Sequence, residues 1–172
     1  SATKAAADML ITAWGRTHKI PYMILRPTNN YGIGQYVEKL IPKTVKLANL
    51  GRKIPLHNHG QPYRNWLHAD DTAEAVLTII DKGDIGAIYN IAGGFEQSNF
   101  DTVRSVFDSM GIDISDGGKE NKHIDYSYSR PGQDVRYSLD DSKLRLLGWS
   151  PKKLFNREIM GIVSYYKDKF IW

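Results

Sequence analysis

The chain has 172 residues, 41% hydrophobic and 24% charged, with a formal charge of +4 and no cysteine. That is the composition of one folded domain with its own core, and it excludes a disordered tail, a disulfide scaffold and thiolate or cysteine–metal chemistry. Lysine and arginine are scattered singly, which leaves no footprint for nucleic acid; no run approaches the roughly 18 apolar residues of a membrane span, no signal peptide is visible, and a reducing cytoplasm is the expected compartment.

The opening "SATKAAAD" reads as the first turn of a helix, with Ser1 as N-cap and Ala2, Ala5, Ala6 and Ala7 as strong helix formers. This helix is expected to reach about Trp14, with Leu10, Ala13 and Trp14 on one face and Gly15 near its end. "IPYMILRP" follows as a buried strand stopped by Pro27, and a second helix is expected from near Pro42 to about Asn49. "KIPLHNHGQPYRNWLH" reads as loop with short extended pieces. Asp71 and Glu74 form a capping-box pattern at the head of a third helix, whose apolar stripe is Ala73, Val76, Leu77 and Ile80.

"GAIYNIAGG" is a β-type run closed by glycines, and "GGFEQSNFD" reads as an ordinary strand-to-helix loop. A helix carrying Val103, Val106, Phe107 and Met110 ends at Gly111; a Gly- and Asp-rich loop covers 112–122, and "HIDYSY" is a candidate edge strand. A short helix over Asp140–Leu147 and a longer one with Phe155, Ile159, Ile162 and Tyr166 close the chain. Strands alternating with helices give an α/β class, with too few strands for a complete doubly wound sheet.

There is no G-x-G-x-x-G turn to cradle a dinucleotide, no G-x-S-x-G nucleophile, and no metal-type spacing among the five histidines. Four polar stretches remain. Asn29, Asn30 and Tyr31 follow a strand terminus, where α/β proteins build ligand sites and where Asx residues also serve as turn formers. Arg64 stands near Trp66, either as a phosphate fork or as a packing pair. Asn99 lies in a helix cap within reach of a ligand. "SRPGQDVRYSLD" puts Arg130, Gln133, Asp134, Arg136 and Tyr137 in one irregular loop, suited to an anion such as diphosphate or simply solvated.

In order and spacing, "SATKAAAD", "RPTNNYG", "EKLIP", "RNWLHADD", "YNIAGG", "RPGQDVRY" and "LGWSP" resemble the C-terminal half of the extended short-chain dehydrogenases/reductases, the NAD-dependent epimerase/dehydratase family, and within it the nucleotide-sugar 4,6-dehydratases. The resemblance implies the last strands of a Rossmann-type parallel sheet plus a small α/β substrate-binding subdomain. Residues 1–28 and about 68–92 would be the Rossmann part, and about 29–67 and 93–172 the substrate part. It also implies a cytoplasmic homodimer that uses NAD. The family signature Tyr-x-x-x-Lys matches "SATK" from its second residue, so the tyrosine is expected immediately before Ser1 and the chain reads as a fragment, inactive alone.

What the family does implies the roles. A tyrosinate removes the sugar 4-hydroxyl proton as hydride passes from C4 to NAD; water leaves across C5–C6 and hydride returns to C6. Lys4 matches the lysine that lowers the phenol pKa and contacts the cofactor ribose. Asn30 matches a position near NAD, and Asn29 one that touches the sugar diphosphate. Glu38 and Lys39 match substrate contacts, Pro55, Leu56 and His57 the segment along the nucleotide, Arg64 a diphosphate contact and Asn99 a nucleotide contact. Arg130, Pro131, Gly132, Gln133 and Asp134 match the closing loop, with Tyr137 beyond it. His57 stands where the family usually has Tyr, and Gln133 where it usually has His, which leaves the base open among thymine, uracil and cytosine. dTDP-glucose is the expected substrate. The alternatives are an NAD-dependent UDP- or dTDP-sugar 4-epimerase and a non-catalytic nucleotide-sugar-binding half-protein. No metal is expected.

Overall fold

Helix α1 spans Ala2–His18 in a computed structural model that describes residues 2–114 and 121–169. The capping role of Ser1 and the middle of the Gly- and Asp-rich loop lie outside those residues. The helix runs through Gly15 because Tyr22 lies against that turn: a Cβ there would sit 2.2 Å from Tyr22 Cε1. Asp8, Thr12 and Gly15, spaced as one helix face requires, are its half-buried stripe. No residue of α1 is fully buried, and Met9, Leu10, Ile11 and Trp14 are exposed.

After α1 the chain turns into β1 (Ile24–Pro27), which pairs in parallel with β5 (Ile88–Ile91). Thr28 carries it across to β2 (Asn29–Tyr31), the start of a second, four-stranded sheet. The centre of that sheet is β4 (Tyr63–His68), with β2 and the short β8 (Arg136–Tyr137) parallel to it and β6 (Phe95–Ser98) antiparallel. A third pair joins β3 (Ile54–Pro55) to β7 (Ile124–Asp125). The α/β class with parallel strands is as expected; the correction is to the segments read as loop, which hold the central strand β4 and its antiparallel neighbour β6.

The helices follow local chemistry with two exceptions. Helix α2 (Leu40–Asn49) begins two residues ahead of Pro42. Helix α4 (Asn99–Ser109) is capped by Ser98, whose Oγ accepts the Asp101 N–H at 3.0 Å. In α3 (Ala69–Lys82) the cap is His68, whose Nδ1 accepts the Asp70 N–H, rather than the expected Asp71–Glu74 box. Its buried residues are Asp71, Ala75 and Ile79, while Leu77 and Ile80 are exposed, so the expected stripe was rotated on the helix. After the single turn α5 (Ser142–Arg145), α6 (Phe155–Lys167) buries Phe155, Ile159, Ile162 and Tyr166 as its periodicity predicts, together with Val163. Each such side chain contributes about 1.5–3 kcal/mol on burial.

The core lies in three parts: α6 against β2 and β4, α3 with Trp149 against β5, and α4 against β3 and β7. Among the described residues no helix is long and apolar enough to cross a membrane, and no group of three metal-ligating side chains comes together.

Candidate functional site

Strand β4 organises the polar residues. Arg64 pairs in register with Tyr137 of β8, and Trp66, two residues on, with Asn29 of β2. The Arg64 side chain is half-buried; its Nη1 donates to the backbone oxygens of Tyr63 at 2.6 Å and Asp134 at 3.1 Å. Burial lowers the Arg64 pKa below the ordinary guanidinium value; the Asp134 carboxylate opposes this, and the nearby Arg130 charge adds to it. Neither Arg64 nor Arg130 makes an ion pair among the described residues. Two cations near enough to repel each other, neither in an ion pair, are suited to an anion, although the Asp134 carboxylate already offsets part of the charge at Arg64.

Arg136, read from sequence as a second anion-binding candidate of the loop, is already engaged. Its guanidinium forks onto Glu96 at 2.7 and 2.9 Å, and Ser138 adds a third bond to the same carboxylate. These bonds hold the Glu96 carboxyl below the usual carboxylate range.

The nucleotide-segment residues meet this cluster through the turn His57–Gly60. Pro55 is in β3, Leu56 is in the core beneath it, and the His57 ring stands edge-on to Tyr128 at 5.7 Å. The His57 Nδ1 atom is buried with no hydrogen-bond partner. Asn58 and His59 both have left-handed backbone, and the Asn58 side chain bonds the loop that carries Arg130 and Gln133. Pro131 and Gly132 (φ 68°) form the turn closed by the Gln133 N–H to Arg130 oxygen bond. Asn99 opens α4, and its N–H donates to the Pro62 oxygen at 3.0 Å, which holds it near the start of β4.

Other candidates lie differently. Asn30 has its carboxamide committed: Oδ1 accepts from Thr72 Oγ1 at 2.5 Å and Nδ2 donates to the Thr28 oxygen at 3.1 Å. Glu38 and Lys39 are exposed and pair with each other at 2.7 Å; no bond recorded for them reaches Arg64 or Arg130. Lys4 is exposed on α1, without an ion pair among the described residues. Its placement follows from a pairing one turn later, where Asp8 accepts from Arg26 of β1 at 2.7 and 3.0 Å. Helix and strand run in opposite directions, as the second contact, Gly15 on Tyr22, shows. Four helical residues advance about 6 Å, so the start of α1, with Lys4, lies toward the carboxyl end of β1. That end of a parallel strand is where α/β folds bind ligands.

Two residues that organise this region escaped the sequence reading. Thr72 fixes Asn30 from α3, and no local pattern announces it. Asn58 reads only as a turn former beside Gly60, and its partners are about seventy positions away.

The chain is 37% identical over 166 residues to the low-salt glycan biosynthesis protein Agl12 of Haloferax volcanii, covering 96% of this chain and 51% of that protein. It is 38% identical over 173 residues to a dTDP-glucose 4,6-dehydratase of Streptomyces niveus, covering 100% of this chain and 49% of that enzyme. The chain therefore spans about half the length of the curated relatives it matches. Among solved structures, the dTDP-glucose 4,6-dehydratase DesIV of Streptomyces venezuelae superimposes with a TM-score of 0.89 at 35% identity, over 98% of this chain and 50% of that one. The dTDP-glucose 4,6-dehydratase of Bacillus anthracis in complex with NAD gives 0.86 at 34%, over 99% and 52%. The UDP-glucose 4-epimerase of Thermotoga maritima, at 23% identity and a TM-score of 0.82, over 95% of this chain and 52% of that one, shares the fold. The sequence model described as NAD dependent epimerase/dehydratase family matches residues 1–92, more than half of the chain, and on that match the chain belongs to this family.

Proposed function

We propose that this chain forms the substrate side of a nucleotide-sugar 4,6-dehydratase acting on dTDP-glucose. The observation that carries the reading is that β4 holds the 128–134 loop through the Arg64 bond to the Asp134 oxygen, so that Arg64 and Arg130, neither in an ion pair among the described residues, lie in one region with the His57 turn and Asn99. A nucleoside diphosphate offers two guanidinium groups the direct charge-assisted bonds that neither makes to an acid here. In this reading β1, β5, α1 and α3 make up the cofactor side and the remaining strands the substrate side.

NAD, when bound, takes up and returns the hydride. The fit of the chain to it is confined to one edge. Lys4, cationic and toward the carboxyl end of β1, suits ribose hydroxyls and stabilises a phenolate held beside it. Asn30, with both ends of its carboxamide bonded, shapes that edge rather than donating to a ligand. The sequence holds no glycine-rich turn for the pyrophosphate.

Calorimetric titration of the chain with dTDP tests the nucleotide site. Binding is expected, and Arg64→Ala is expected to weaken it about tenfold or more, the worth of a charge-assisted bond to phosphate. An Arg64→Ala chain that binds as wild type does would remove the diphosphate assignment. Incubation of the chain within its complete protein with dTDP-glucose and NAD separates the reactions: a product lighter by one water identifies the dehydratase, a sugar of unchanged mass a 4-epimerase, and binding without turnover there a non-catalytic module.

We further propose that α1 is the surface used by a second copy of the chain. It buries no residue, and it exposes Met9, Leu10, Ile11 and Trp14, a patch that favours association. Light scattering is expected to give a mass above 19.5 kDa, with the double variant Leu10→Lys, Trp14→Lys returning to it. A monomeric wild type contradicts this assignment.

A further inference from the structure

The 128–134 loop is exposed along most of its length and contributes nothing to the three apolar clusters. Its far end is held by β4: the Tyr63 N–H donates to the Val135 oxygen, and Arg64 to the Asp134 oxygen. At its near end the His57 ring stands edge-on to Tyr128, and the hydrogen bonds around Arg130 come from Asn58. Asn58 Nδ2 donates to the Arg130 oxygen at 3.3 Å and to Gln133 Oε1 at 3.1 Å. Asn58 Oδ1 accepts from Ser129 Oγ at 3.2 Å and from the Arg130 N–H at 3.1 Å. A carboxamide has two donors and an acceptor with two lone pairs, and here all four are used on residues 129–133. The Asn58 N–H completes the set by donating to the Tyr128 oxygen at 3.1 Å.

The backbone beneath makes this possible. Asn58 (φ 50°), His59 (φ 55°) and Gly60 (φ 72°) are three successive left-handed residues, a run that ordinary residues disfavour and Asn tolerates. Turn formation alone would explain an Asn here. It does not explain a side chain saturated by a segment 71–75 positions away.

We infer that Asn58 is a positioning residue whose carboxamide holds the loop so that Arg130 stands beside Arg64, making the two guanidinium groups one fork for a nucleoside diphosphate. This rests on the nucleotide reading of the site. Asn58 does not touch the ligand; it acts through Arg130.

Two readouts on the whole chain test it. Asn58→Gly keeps the left-handed backbone and deletes the clamp, while Asn58→Asp keeps the acceptor oxygens and loses both donated bonds. Amide hydrogen exchange is expected to accelerate over 129–134 in Asn58→Gly, less in Asn58→Asp, with protection of β4 and α6 unchanged. In dTDP titrations, Asn58→Gly and Arg130→Ala are each expected to weaken binding about tenfold. The double variant should bind no worse than the weaker single, because both remove the same interaction. Losses that multiply in the double variant, or exchange over 129–134 at the wild-type rate in Asn58→Gly, overturn the assignment. A wild type that takes up no dTDP sinks the nucleotide reading instead, and the exchange rates then decide by themselves whether Asn58 holds Arg130 in place.

Discussion

Replacing Gly93 with alanine is expected to cost the chain a large part of its stability. A Cβ at that position would lie 1.7 Å from the Trp66 oxygen, 2.5 Å from its carbonyl carbon and 2.8 Å from Leu67 Cα. All three are backbone atoms of β4, which is hydrogen-bonded to β2, β6 and β8 and cannot shift alone. Retreat of Gly93 itself breaks its N–H bond to Asn65 Oδ1, at 2.8 Å. Ordinary overpacking costs about 1–3 kcal/mol, and a clash between two backbones with no flexible neighbour should exceed that, at about 4 kcal/mol or more. Against a net stability of about 5–15 kcal/mol this is a large share. Urea unfolding followed by circular dichroism measures it; a Gly93→Ala chain with a wild-type midpoint would show that β4 and the Gly93 crossing are further apart than described.

The second large effect is expected at Asp71. This carboxylate is 2% exposed, and its two oxygens accept the N–H groups of Lys152 and Lys153 at 3.0 Å each. Its backbone oxygen also takes the Trp149 indole N–H at 3.2 Å. One residue of α3 therefore anchors the segment leading into α6, and with it the core around Phe155 and Ile159. Asp71→Ala orphans two partly buried donors and leaves a void, for a loss of about 3 kcal/mol in urea unfolding. Asp71→Asn keeps one acceptor and should lose about half as much. Equal stability of Asp71→Ala and wild type would contradict the anchoring role.

Asp71 also shows where a sequence stops being legible. Asp and Glu three residues apart at a helix start signal a capping box, yet α3 begins two residues before Asp71 and is capped by His68. The deciding interaction comes from residues about eighty positions later, which no local pattern contains. The rotated stripe of α3 has the same origin, since burial of Asp71 fixes which face turns inward. By contrast, α6, β5 and a cap within SNFD were readable because their determinants are local: apolar spacing, a β-type run closed by glycines, and cap-forming residues ahead of a helix, where the structure assigns the capping to Ser98. Strand β4 was hidden because Arg64 and Asn65 interrupt its apolar pattern. Asn65, 3% exposed, is tolerated there through bonds to Thr28 and Gly93 and a further one to the Glu96 carboxylate.

The site divides likewise. The density of polar residues over 130–137 was visible, and the structure brings that stretch to Arg64. Which arginine is available was not visible: Arg136 differs from Arg130 because Glu96, forty positions earlier, lies opposite it. Asn58 was invisible for the same reason as Asp71, its partners being distant in sequence.

Asn65 has one further consequence. Its Oδ1 accepts from Thr28 Oγ1, where the chain passes from β1 to β2, and from the Gly93 N–H, where it passes from β5 to β6. Two of the three passages between the two-stranded and the four-stranded sheet are thus pinned to one oxygen atom, the third running through α3. Hinge closure between layers, a common way to enclose a ligand, requires such crossings to bend. Here two of them share one buried acceptor on β4, which resists such bending between the strand that bears Arg64 and the pair β1 and β5.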